Sequence, residues 1–283
     1  MARQMRIEYA GALYHIMSRG NGRGVIYLND EDKKLFLATL QNVIERYGWK
    51  CYAYCLMNNH YHLLVETPGA NLSIGMRQLN GVYTQSFNRA HKTTGHLFQG
   101  RFKAHVVEKQ NYLLMLSAYI ALNPVRGKLG KKPEDWAWSS YRATIGIDPA
   151  PSWLEARYIR DQFGSSERTA RKNYERFVAD QSNKSTPWSD VTGQVLLGEH
   201  DFIVEMCEKI ADKQGEAEIP HEQRFFNRPE LKDLFSKIAT TQERNKKIIE
   251  MYFKYGYRQA EIARYAGLHY GTVSRLISAR KTQ

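Results

Sequence analysis

At 283 residues the chain has room for two or three domains, and 41 lysines and arginines against 29 aspartates and glutamates leave a formal net charge of +12. Such an excess points to a polyanionic partner, while the lack of a spanning apolar run or a secretory leader pattern argues against membrane insertion or export. Cys51, Cys55 and Cys207 are too few for a disulfide framework, which predicts a soluble protein of the reducing cytoplasm.

Residues 13–18 read as a first strand, closed by a Gly/Asn/Arg loop through Gly24 that no regular element tolerates. An acidic start at Asn29-Asp30-Glu31-Asp32 opens a helix whose apolar residues, Leu35, Phe36, Leu40, Val43, Ile44 and Tyr47, recur at helical spacing up to Gly48. Residues 49–57 and 60–67 form two strands joined by an Asn58-Asn59 turn. Cys51 and Cys55 are expected on one face of the first of these, as small core residues. A helix over 72–91, a strand over 102–108 and a helix over 111–122 follow, and Asn123-Pro124 is expected to end the last of them. The order predicts an α+β fold: a ferredoxin-like βαββαβ domain with one antiparallel sheet and its helices on one face, followed by a helical C-terminal region.

The charge is segregated. Residues 1–145 carry 19 basic against 9 acidic residues, 146–243 carry 13 against 18, and 244–283 carry 9 against 2. Two basic blocks around an acidic middle suggest two nucleic-acid contacts joined by a module with another task. The stretch 182–187 reads as a linker. Helices are expected over 245–255, 258–266 and 270–279, with Gly267-Leu268 as a tight turn between the last two, a pattern that has the helix-turn-helix signature. Tyr270, Thr272, Ser274 and Arg275 then lie near the start of the recognition helix, where bases or phosphates are met.

His60-Tyr61-His62 carries the chemistry. Side chains two apart on a strand share a face, so both imidazoles project side by side from a rigid element and can hold one divalent metal between them. Tyr119 and Asn123, four apart, share a helix face. If that helix packs beside the third strand, the Asn123 carboxamide oxygen completes the ligand set and the Tyr119 phenol lies near the metal. Imidazole with amide oxygen and water suits Mg²⁺ or Mn²⁺. A phenol beside basic groups and a metal-clamped phosphate can act as a nucleophile, leaving a 5′-phosphotyrosine and a free 3′-OH. Tyr112, on nearly the same face, is the rival nucleophile.

These residues carry a resemblance. Residues 57–64, Met-Asn-Asn-His-Tyr-His-Leu-Leu, resemble the histidine–hydrophobic–histidine (HUH) motif of single-tyrosine transposases, and residues 119–126, Tyr-Ile-Ala-Leu-Asn-Pro-Val-Arg, resemble their nucleophile helix. Residues 14–21 and 95–103 are similar to runs of the REP-associated tyrosine transposases, so the resemblance covers about residues 1–145. A C-terminal helix-turn-helix like that of replication initiators also occurs in longer members of that group. The resemblance implies a tyrosine transposase domain over 1–145, a connecting helical region over 146–240 and a helix-turn-helix domain over 241–283. It implies action on single-stranded hairpin DNA of the REP type, with duplex DNA met by the C-terminal module, as a monomer or homodimer. Carried over by position, His60, His62 and Asn123 become metal ligands and Tyr119 the nucleophile. Tyr61 stands where an aliphatic residue is usual, and Asn58 where the family shows proline. Arg19, Arg23, Arg101, Lys103 and Arg126 are the expected phosphate contacts. Two other readings compete: a sequence-specific DNA-binding regulator with an inactive transposase domain, and an RNA-binding protein. A pure binder would not need the His60, His62, Tyr119 and Asn123 set, and no RNP-type aromatic pair stands out for RNA.

Overall fold

The computed structural model describes residues 6–182, 184, 186–192, 195–209, 229–235, 240–253 and 255–281, which group into two compact units, 6–203 and 204 onward. The first unit is built on β1 (Ala12–Arg19), α1 (Asp30–Tyr47), β2 (Lys50–Leu56), β3 (His60–Thr67), α2 (Leu72–His91), β4 (Lys103–Val107) and α3 (Lys109–Ala121). Local chemistry sets the helix ends. Asn29 caps α1 by accepting from the Asp32 backbone N–H, Asp32 reciprocates, and Gly48 closes the helix in the left-handed region at φ 67°.

Strands β2-β3-β1-β4 pair antiparallel in that order, as the α+β expectation requires. The sheet is larger than the four strands expected. Two-residue strands β5 (Val191–Thr192) and β6 (Leu196–Leu197) extend it, with β6 parallel to β4. Too short to show alternation, they left no signal in the sequence.

The helices do not share one face, as the sequence had suggested. Tyr61 points to the α1 and α2 side, where its ring meets Phe36 and its hydroxyl donates to Asn80 Oδ1 at 2.6 Å. Its neighbour His62 points the other way, to α3 and Tyr119. The Tyr61 departure from the aliphatic pattern therefore lies on the α1–α2 side of the sheet. Cys51 and Cys55 also part company: a bulge between Cys51 and Ala53 shifts the register, so Cys51 stands opposite Val65 and Cys55 opposite His62. On the α1–α2 side Gly75 is packed so closely that a Cβ there would sit 2.2 Å from the Trp49 ring.

The α3 side is covered by the middle of the chain. After the short α4 (Asn123–Arg126) come α5 (Tyr141–Ile145), α6 (Ala156–Asp161) and α7 (Glu167–Gln181). Tyr141, Ile159, Tyr174 and Val178 join Leu113, Leu116 and Ile120 of α3 in one apolar core. The start of α3 is tied to the sheet by Lys109, which donates to Glu66 Oε2 at 2.6 Å and to the Tyr52 hydroxyl at 2.8 Å. Burial pushes the Glu66 carboxyl up, but hydrogen bonds donated to it by Lys109 and by the Tyr52 hydroxyl outweigh that and hold the group below its usual range.

α8 (His200–Lys209) leads into the second unit. There, helices Thr241–Phe253, Gln259–Ala266 and Tyr270–Lys281 enclose Ile248, Met251, Ile262, Val273 and Ile277, all within 1% of fully buried. Gly267, at φ 63°, makes the turn between the second and third. Among the described residues no helix is long and apolar enough to cross a membrane.

Candidate active site

The site starts at the β2–β3 turn, which the glycine-rich loop holds in place. Gly20 N donates to the Asn59 carbonyl at 2.8 Å, Ile26 N to the Asn58 carbonyl at 3.0 Å, and Asn59 Nδ2 to the Arg23 carbonyl at 3.0 Å. Only glycine fits position 20, since a Cβ there would lie 2.0 Å from the Gly24 carbonyl oxygen. From this turn His60 and His62 project with ring centroids 5.0 Å apart, edge to face.

Neighbouring strands add two imidazoles to the same face. His15 of β1 faces His105 of β4, and Met17 faces both His62 and Lys103. His15 stacks on His62 at 5.2 Å and on His105 at 6.0 Å, and His15 Nε2 lies 3.0 Å from His62 Nδ1. Sequence reading did not single out His15 or His105 because strand order decides which histidines meet.

α3 brings Tyr119 edge-on to both His15 and His62, at 6.2 Å from each. Tyr112, like Tyr119, packs against the apolar core. Asn123 is one turn beyond Tyr119, buried, with no hydrogen-bond partner for Nδ2. α3 ends at Ala121, just before Asn123-Pro124 as expected, but a second short helix follows at once. Leu122 keeps right-handed helical angles, and Pro124 falls in the first turn of α4, where a missing N–H costs least. Arg126 returns from α4 to lie over the Tyr119 ring at 4.8 Å and to donate to the Tyr119 carbonyl at 3.3 Å.

The expected phosphate contacts differ in placement. Arg19 ends β1 opposite His60, and its Nε is buried without a partner. Arg23 is exposed in the glycine loop, and Lys103 is exposed at the start of β4. Arg101 does not share a strand face with Lys103, because Gly100 at φ 67° breaks the chain and β4 begins only at Lys103. In the second unit, Tyr270 and Arg275 are exposed while Thr272 and Ser274 are half-buried.

Sequence reading also missed Trp188. Its ring meets His15 at 4.7 Å, His105 at 5.1 Å and Tyr119 at 5.0 Å, although it lies in the acidic middle of the chain.

Burial depresses all four imidazoles. His60 falls to about 4, with Arg19 adding to burial, and His62 to about 3, with His60 and Arg19 adding. His105 falls to about 4, with Lys103 adding, and His15 lies well below its ordinary value, with His62 and His105 adding. All four are neutral near pH 7, with lone pairs available to a metal. In the unfolded chain a histidine takes up a proton near pH 6.5, but in the fold His60, His62 and His105 do so only near 3 to 4. Stability is therefore complete above about pH 6.5 and falls toward pH 4 by about 1.4 kcal/mol per pH unit for each of His62 and His105. The loss is smaller for His60, which is more exposed and whose charge is screened by water. Thermal unfolding between about pH 7.5 and 4.5 is expected to show this decline, and His105→Asn should reduce its slope. An identical slope in the variant would remove His105 from the linkage.

Among the described residues no three His, Cys, Asp or Glu side chains form a metal cage. The two neutral imidazoles and the Asn123 carboxamide nevertheless fit a hard divalent ion that keeps open positions. Their donors are imidazole nitrogen and amide oxygen, and the two imidazole rings lie with centroids 5.0 Å apart.

Residues 8–123 match the family model described as IS200-like transposase. A Haemophilus influenzae protein assigned to the REP-associated tyrosine transposases is 25% identical over 152 residues, covering 50% of this chain and 86% of its own length. Among solved structures, a REP-associated tyrosine transposase bound to a REP hairpin is similar with a TM-score of 0.45 and 19% identity, over 53% of this chain and 89% of that one. A Deinococcus radiodurans protein assigned as a transposase aligns with a TM-score of 0.31 and 19% identity, over 42% and 95%.

Proposed function

We propose that this chain, whose residues 8–123 match the IS200-like transposase family model, is a metal-dependent transposase that cleaves and rejoins single-stranded hairpin DNA through a 5′-phosphotyrosine. The observation that carries the reading is Tyr119, set edge-on against His62 and beneath the Arg126 guanidinium. The Tyr119 oxygen attacks the scissile phosphorus, the bond to the 3′ oxygen breaks, and the enzyme is left joined to the 5′ phosphate. A new 3′-OH reverses the step and rejoins the strand. His60, His62 and Asn123 would hold Mg²⁺ or Mn²⁺, which when bound polarises the phosphate and stabilises charge on the leaving oxygen. Arg19, Arg23, Arg101, Lys103 and Arg126 would steer and hold the backbone.

The test is direct. Incubation with Mn²⁺ and 3′-labelled single-stranded hairpins of the REP type is expected to give a protein–DNA adduct on a denaturing gel, and a chelator should remove it. An adduct that forms equally well in chelator would overturn the metal dependence.

In the same reading the C-terminal three-helix unit is a helix-turn-helix that docks duplex DNA. Tyr270, Thr272, Ser274 and Arg275 line the start of its last helix. Tyr270→Ala with Arg275→Ala should weaken duplex binding by roughly 10-fold or more while sparing cleavage of short hairpins. Loss of cleavage with unchanged duplex binding would reverse the assignment of the two units.

A further inference from the structure

The two proposed ligand histidines each direct Nδ1 at a neighbour, and the neighbours differ in kind. His60 Nδ1 lies 2.7 Å from Asn59 Oδ1, while Asn59 Nδ2 donates to the Arg23 carbonyl at 3.0 Å. The second bond fixes the rotation of the carboxamide, because a carbonyl can only accept. Asn59 Oδ1 must then accept from His60, so the His60 proton sits on Nδ1 and Nε2 carries the free lone pair.

The His62 contact is with a second imidazole. His15 Nε2 and His62 Nδ1 are 3.0 Å apart, and His15 is only 2% exposed. Either ring can donate. Only the arrangement in which His62 donates leaves His62 Nε2 bare. His15 then carries its own proton on Nδ1, a buried atom with no partner.

We propose that Asn59 and His15 are positioning residues, each accepting the Nδ1–H of one histidine so that His60 and His62 both present Nε2 to one divalent cation. The inference rests on the metal-site reading above and adds the residues that set its ligand atoms. The two halves are unequal. Asn59, braced by the glycine-loop carbonyl, holds His60 in the ligand tautomer at all times. His15 leaves His62 free to rest in the other tautomer until a cation takes Nε2.

The experiment uses the full chain labelled with ¹⁵N-histidine. Long-range ¹⁵N–¹H correlation spectra of the metal-free protein should show His60 protonated on Nδ1, and added Mg²⁺ should place the His62 proton on Nδ1. Mn²⁺ titrations followed by electron paramagnetic resonance should give a Kd raised by about 10- to 100-fold in Asn59→Ala and in His15→Phe. His15→Gln, whose amide oxygen can still accept, should recover to within about 3-fold of the parent chain. A wild-type His60 protonated on Nε2, or equal weakening by Gln and Phe at position 15, overturns the proposal. If Asn59→Ala and His15→Phe bind Mn²⁺ normally while His60→Ala does not, positioning fails and the metal site stands. If His60→Ala also binds normally, the metal site itself is wrong.

Discussion

Tyr119→Phe is expected to abolish the covalent adduct with 3′-labelled hairpin DNA, a loss on the order of 10³-fold or more, while hairpin binding changes by no more than a few-fold. The substitution removes one oxygen and keeps the ring. The edge-on contacts with His15, His62 and Trp188 are made by the ring, as is the Arg126 contact at 4.8 Å. The pocket should therefore keep its shape, and the missing oxygen should account for the effect. Tyr112→Phe is the matched control, a tyrosine of the same helix packed against the apolar core. If the adduct survives in Tyr119→Phe and disappears in Tyr112→Phe, the nucleophile has been misassigned. If the wild-type chain binds hairpins and duplexes but forms no adduct with any hairpin or metal, the DNA-binding regulator is the better reading.

Much of the scaffold was legible because the chemistry that fixes it is local. Asn29 and Asp32 mark the start of α1 by side chains within three residues of the backbone they cap, and Gly48 marks its end by turning into the left-handed region. The period of two along β3 correctly separates Tyr61 from His60 and His62. What was not legible depends on pairing between distant segments. Period alone says that His15 points to one side of its strand, but not that β1 lies beside β3, which brings it to His62. A one-residue bulge between Cys51 and Ala53 has no sequence mark, yet it reverses the relation of the two cysteines. Trp188 was lost for the same reason: it reaches Tyr119 through a segment with no motif and strands of only two residues. The fold also supplies a use for the acidic middle. Its helices cover α3, so part of that region holds the helix that carries Tyr119.

His60→Ala and His62→Ala should both remove metal-dependent cleavage, yet differ in what else they cost. His60 sits at the edge of the site, and its Nδ1 meets the amide oxygen of half-buried Asn59. Truncating it leaves that oxygen close to water, so the thermal midpoint should barely move while Mn²⁺ affinity falls by on the order of 10²-fold. His62 is 4% exposed and lies between His15 and Tyr119. Its removal opens a cavity and leaves His15 Nε2 buried without a partner, which adds to the orphaned His15 Nδ1. The combined cost is about 2–5 kcal/mol, from lost packing and one unsatisfied polar atom. His62→Ala should therefore lower the thermal midpoint as well as metal affinity. Equal midpoints in the two variants would show that the His15–His62 contact contributes nothing to the fold. Wild-type cleavage in His60→Ala would show that the histidine pair is not the clamp.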